Sequence, residues 1–205
     1  MGRMSTKTEK RSYHHGNLRE AVLHQACIFL ERDGASNVSL REIGRVLGVS
    51  HTAPRRHFPT KQLLLDALAI YGYAQLGAGL ARALRHRDAA FEVRLQRATS
   101  VLVRFALKNP ALLGHMFAAK HQPDATPELI EASQVALSSG IQLLAEGQET
   151  GDVVEGDPEV LALVPFATVQ GLIVVSSHGT FKGISLEKLV EQATHHILVG
   201  LRPRG

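Results

Sequence analysis

The 205-residue chain has one cysteine, Cys27, so no disulfide can form within it. A disulfide-stapled fold is excluded, and the composition fits a reducing compartment. Aromatic residues make up 5% of the chain and apolar residues 44%, so any core must be built mainly from aliphatic side chains. No segment alternates apolar and polar residues convincingly, which argues against a sheet. The N-terminal stretch MGRMSTKTEKRS has no apolar run behind it, so no signal peptide is expected and the cytoplasm is the expected location. The longest apolar run, Val160 to Val175, is interrupted by Pro165, Thr168, Gln170 and Gly171. It is shorter than the ~20 residues of a typical span, so a buried helix is expected and no membrane partner.

Several catalytic signatures are also missing. No Gly-rich phosphate loop, nucleophile–base pair or metal-ligand spacing is visible, so an enzyme or helical adaptor is the weaker reading. The 11 histidines include the adjacent pairs His14-His15 and His195-His196. Neighbours on a helix do not face one another, so neither a metal nor another cofactor is expected.

What is present is helical periodicity. Apolar residues at 18, 21, 22, 26, 29 and 30 make one stripe of a helix that Gly34 stops. Ser39 and Glu42 have the spacing of a capping box, with Val38 and Ile43 as the hydrophobic staple. Leu40, Ile43 and Leu47 form the next stripe, and Gly48 ends that helix. Thr60 opens a long segment to about His86. Asn109-Pro110, Thr126-Pro127 and Asp157-Pro158 each put a capping residue before a proline at the first helical position. Ser185 opens a last helix to about Leu201. The fold class is therefore all-α, with about nine helices.

Within this series GVSHTAPRRHF, Gly48 to Phe58, has the form of the turn and second helix of a helix-turn-helix. With Ser50 as N-cap, Pro54 falls at the fourth helical position and loses only the first intrahelical bond. A stiff, 3₁₀-like first turn is expected, with the ring packed on Val49. Ser50, His51, Thr52, Arg55 and Arg56 then face outward, and Ala53 and Phe58 inward. Polar residues at the start of a second helix suit major-groove reading. Lys61 stands at the start of the helix that Thr60 opens, where the macrodipole disfavours a cation and free N–H groups favour a phosphate.

Charge is distributed accordingly. The chain holds 23 Lys/Arg and 19 Asp/Glu, of which residues 1–67 hold 11 and 6. The basic excess therefore sits in the N-terminal third, which suits DNA or a solvated tail.

VSLREIGRVLGVSHTAPRRHFPTKQLLLDAL, Val38 to Leu68, resembles the DNA-binding domain of tetracycline-repressor (TetR) type bacterial transcriptional regulators. YHHGNLREAVL, Tyr13 to Leu23, is similar to the opening of a YHHGNLR-type subset of them. The resemblance implies a flexible basic arm over residues 1–12, a helix-turn-helix domain over 13–65, and a ligand-binding and dimerisation domain over 66–205. It implies a regulator, in most cases a repressor, that binds a palindromic double-stranded operator as a homodimer and leaves it when a small-molecule effector binds. A DNA-binding dimer without a ligand is the alternative. Carried over by position, Ser50, His51 and Thr52 would face bases or phosphates, and His57 and Lys61 phosphates; Ser39, Arg41, Arg55 and Arg56 complete the expected DNA-facing set. Arg55 replaces the usual tyrosine, and either touches the backbone or reads a guanine. Phe166 and Gln170-Gly171 replace a tryptophan and a His-Gly pair of the subset.

The candidate pocket comprises Tyr73, Phe105, Met116, Phe117, Phe166, Val169, Gln170 and His178. The last two helices, about 158–201, are apolar enough to need burial on two sides, with Leu186, Leu189, Val190, Ala193, Ile197 and Leu201 at helical spacing. The resemblance assigns them to the dimer interface.

Overall fold

The computed structural model describes residues 18–177 and 183–203. These residues form nine α-helices and no strand: α1 (Leu18–Asp33), α2 (Leu40–Val46), α3 (Ala53–His57), α4 (Lys61–Leu84), α5 (Phe91–Lys108), α6 (Pro110–Lys120), α7 (Pro127–Glu149), α8 (Pro158–Ser177) and α9 (Leu186–Leu201). A single 3₁₀ turn, Ala35–Asn37, joins α1 to α2. The chain divides into two compact units between Leu64 and Leu65.

Most helix starts follow the capping chemistry. The Thr126 hydroxyl accepts from the Leu129 N–H at 3.3 Å, and that of Ser185 from Lys188 at 3.3 Å. Asp157 Oδ1 accepts from Glu159 N–H at 2.9 Å. Asn109 departs from the expectation. Its side chain makes no N-cap bond; its amide instead donates to the Phe105 carbonyl at 3.1 Å. Asn109 is the single residue between α5 and α6, so it closes the first helix instead of opening the second.

In the first unit, α1 buries Val22, Leu23, Ala26, Phe29 and Leu30 beside Val38, Ile43 and Phe58. In the second, Val103 of α5, Val169 of α8 and Val190 of α9 form a shared core, with Leu102, Ile173 and Leu186 against it. Close approach of helices is set by small residues. A Cβ on Gly77 of α4 would lie 3.1 Å from the Ala136 Cα of α7.

The expectation of a buried helix at Val160–Val175 needs correction. Only 6% of the window Pro158–Val175 is buried, although by length and hydropathy it, like Lys61–Leu84, is sufficient to cross a membrane. Val169 is buried, but Val160, Leu163, Val164 and Val174 are 59%, 64%, 70% and 55% exposed. Positions 160, 163, 164 and 174 share one face of the helix. In α9 the apolar stripe is used inside the unit, where Val190, Ala193, Ile197 and Leu201 are buried. Its outward residues are mostly polar, with Glu191, Gln192, His195 and His196 exposed and Val199 the apolar exception at 58%.

Candidate nucleic-acid interface and the helical-domain cavities

The helix-turn-helix is built from two local devices. Ser39 starts α2, its hydroxyl accepting from the Glu42 N–H at 3.5 Å. The reciprocal arm of the expected capping box is not made. Glu42 Oε1 instead accepts from Arg45 Nε at 2.8 Å, a charge-assisted bond that holds the Glu42 carboxyl below its ordinary range. Gly48, with φ 67°, ends α2. Its N–H donates to the Arg45 carbonyl at 3.2 Å and the Val49 N–H to the Gly44 carbonyl at 3.0 Å. This is the Schellman arrangement, which needs a residue without a side chain at the left-handed position.

The second helix begins later than the sequence suggests. Ser50 is not its N-cap: Thr52 takes that place, α3 starts at Ala53, and Pro54 lies in its first turn. The Ala53 N–H donates to the Ser50 carbonyl at 3.0 Å, a 3₁₀-type turn ahead of the helix. Pro54 therefore replaces an N–H that would have been unpaired, and its cost is small. The proline is buried, against Gly44 of α2, where a Cβ would lie 3.4 Å from its Cγ. The ring fixes the angle between the two helices at the point where α2 has no side chain.

This leaves Ser50, His51, Thr52, Arg55, Arg56 and His57 all exposed around α3, and Arg41 exposed on α2. Ser50 and Thr52 hydroxyls lie 3.1 Å apart. Arg55 and Arg56 make no ion pair among the described residues. Ser39 is half-buried and partly engaged in its cap. Phe58 is buried after α3, with the Arg19 guanidinium 5.3 Å from its ring centroid. Thr60 caps α4, accepting from Leu63 N–H at 3.2 Å. Lys61 follows, exposed, and donates to the Ser36 carbonyl at 2.5 Å. Sequence reasoning missed this bond, because its acceptor is backbone and carries no residue-type signal. Tyr13 to Asn17 and the basic arm lie outside the described residues.

In the second unit, seven candidate pocket residues line one cavity: Tyr73, Phe105, Met116, Phe117, Phe166, Val169 and Gln170. His178, the eighth, lies outside the described residues. The enclosed space is about 20 Å³, room for about one water. The Tyr73 hydroxyl donates its one proton to the Met116 carbonyl at 3.1 Å. Burial pushes the Tyr73 phenol up to about 12. A larger slot of about 410 Å³ shares Leu102, Leu137, Phe166 and Val169 with that cavity and continues between α5, α7 and α8. This volume falls in the range of about 300–1,000 Å³ of small-molecule sites.

No protein-family model matches the chain. A solved structure of a Rhodococcus sp. RHA1 protein of unknown function is 36% identical, with a TM-score of 0.87 over 95% of this chain and 100% of that one. A TetR family transcription regulator from Marinobacter aquaeolei VT8 is 20% identical, with a TM-score of 0.74 over 91% of this chain and 96% of its own. Among curated proteins, the nucleoid occlusion factor SlmA of Vibrio cholerae is 29% identical over 76% of this chain and 81% of its own length. The fold is the all-helical fold of TetR-type regulators.

Proposed function

We propose that the chain is a sequence-specific DNA-binding transcription regulator, acting as a homodimer and released from its operator by a small molecule. The observation that carries this reading is the construction of α3. Pro54 and Phe58 are buried beneath it, while His51, Thr52, Arg55, Arg56 and His57 are exposed together. A short helix held from below, with a cationic and hydrogen-bonding face above, is suited to enter the major groove. Lys61 and Arg41 would take phosphates, fixing register without reading sequence.

The outward apolar face of α8 supports dimerisation. Exposed Val160, Leu163, Val164 and Val174 would be covered by the same face of a second copy related by a two-fold axis. The polar outward face of α9 would form the rim. A two-fold dimer presents two copies of α3, one for each half-site of a palindrome.

Footprinting on the DNA upstream of the protein's own gene tests the reading. A protected palindrome is expected, with affinity falling linearly in log–log terms as salt rises. No salt-dependent duplex binding would overturn it in favour of an enzyme or adaptor. The same experiment with Arg55→Ala separates its two roles. Loss at one position per half-site marks a base contact, and uniform loss across operator variants marks a backbone contact.

A further inference from the structure

The larger slot of the second unit has features that suggest its occupant. Its long walls come from Leu137, Gly140, Ile141 and Leu144 of α7, with α5 and α8 opposite. Positions 137 to 144 cover about 10 Å of helix axis, at about 1.5 Å per residue, so the slot is elongated. Its lining is almost wholly apolar. The exceptions are Thr99, which is buried, and the charged residues Lys120 and Glu159.

The two charges differ in setting. Lys120 is half-buried and makes no ion pair among the described residues. Its ammonium rests 5.4 Å from the centroid of the Phe117 ring, and that ring meets Phe166 edge-on at 5.9 Å. Phe166 is a wall of the slot, so the cation sits at the Phe166 end. Glu159 lies in the first turn of α8 and is exposed. It stands seven residues before Phe166, about 10 Å along the helix. Its charge is solvated and favoured by the helix N-terminus. A half-buried cation held only by a ring would gain from an anion, because a charge-assisted hydrogen bond is stronger than an exposed cation–π contact.

We propose that the slot binds a medium-chain carboxylate, its chain along α7 and its head on Lys120. The assignment rests on the reading of this unit as a ligand-binding domain. It names the ligand as an amphipathic monoanion.

Titration calorimetry of the full chain with decanoate, 1-decanol and decylammonium tests it without DNA. Decanoate is expected to bind at least tenfold more tightly than either of the others. Lys120→Met should abolish that preference and Lys120→Arg retain it. Gly140 gives a second, independent variant. A Cβ there meets nothing within 4 Å, and the residue lines the slot. Gly140→Leu should fill it and weaken decanoate binding at least tenfold without lowering the melting temperature. Equal affinity for acid and alcohol, tighter binding of decylammonium, an unaltered preference in Lys120→Met, or no binding of decanoate would overturn the assignment. Decanoate binding of the stated kind with no release of operator DNA would uphold the site and overturn ligand-controlled release. Release by a different molecule, with no decanoate binding, would do the reverse.

Discussion

Pro54 of α3 packs on Gly44 of α2: a Cβ built on Gly44 would lie 3.4 Å from Pro54 Cγ and 3.4 Å from the Ser50 carbonyl oxygen. The two residues form the joint of the helix-turn-helix. There is room here for one methyl group and no more, so the joint needs a small residue.

A graded pair of substitutions tests this joint. Gly44→Ala should be tolerated, because its Cβ contacts are ordinary van der Waals distances and alanine favours the helix. Gly44→Leu must push Pro54 and the Ser50 turn away. Overpacking of this kind costs about 1–3 kcal/mol, measured by thermal or urea unfolding. DNA binding should fall further than stability, because α3 is displaced. Equal stability of the leucine and alanine variants would show that the proline does not hold the joint.

The joint also marks what the sequence could and could not reveal. Helices opened by Ser, Thr or Asp, and by proline at the first position, were legible because the cap chemistry is local. Ser39, Thr126, Asp157 and Ser185 all accept the expected N–H. The N-cap of α3 is read from sequence at Ser50 and lies at Thr52, because Pro54 is accommodated by tertiary contact with Gly44, four residues after Leu40 opens α2. Asn109 failed as an N-cap for a similar reason: one residue joins two helices and serves the first. Glu42 turned from its capping partner to Arg45, an ion pair that competes for the same side chain. Hydropathy marks α8 as apolar, but it does not distinguish a face buried within the chain from one left exposed. The pocket aromatics did converge, around a space too small for a ligand. The open volume lies beside them, among aliphatic residues that look like ordinary core.

That outward face of α8 makes Val164 a sharper probe of dimerisation than any residue of α9. Val164 is 70% exposed in the single chain, so Val164→Asp should leave the fold of each protomer intact. Placed against a second copy, the charge would have to be desolvated without a partner. Sedimentation should show a monomer with a far-ultraviolet dichroism spectrum like that of the parent. An unchanged dimer would place the interface elsewhere.

Tyr73 provides a pH signature of the second unit. Its phenol is pushed from 10 up to about 12 by burial, so the folded chain keeps the proton where the unfolded chain loses it. Stability from this group is complete below pH 10 and is lost as pH rises toward 12. Tyr73→Phe should flatten the alkaline loss between those limits. At neutral pH it should cost about 0.5–1.5 kcal/mol, the net worth of the one hydrogen bond to the Met116 carbonyl. Denaturant unfolding of both proteins at pH 8 and pH 11 checks both effects. An alkaline slope unaltered by the substitution would assign it to other groups.

Lys61 joins the fold to the proposed DNA contact. A cation in the first turn of α4 is disfavoured by the helix dipole, by about 0.3–1 kcal/mol. Its bond to the Ser36 carbonyl, 25 residues earlier in the chain, acts in the opposite sense. The bond is exposed, so the two effects nearly offset. Lys61→Ala should therefore change stability by less than about 1 kcal/mol. The ammonium carries three donors and Ser36 accepts one, which leaves two for a phosphate oxygen. Removing them should weaken DNA binding by the same factor for every operator variant, because a phosphate contact carries no base information. A dimer loses two such contacts, so the slope of log K against log salt should become shallower by roughly 2. Lys61→Arg should keep most of that slope. An unchanged slope in Lys61→Ala, with stability also unchanged, would remove Lys61 from the interface and leave it as a brace between α4 and the turn before α2.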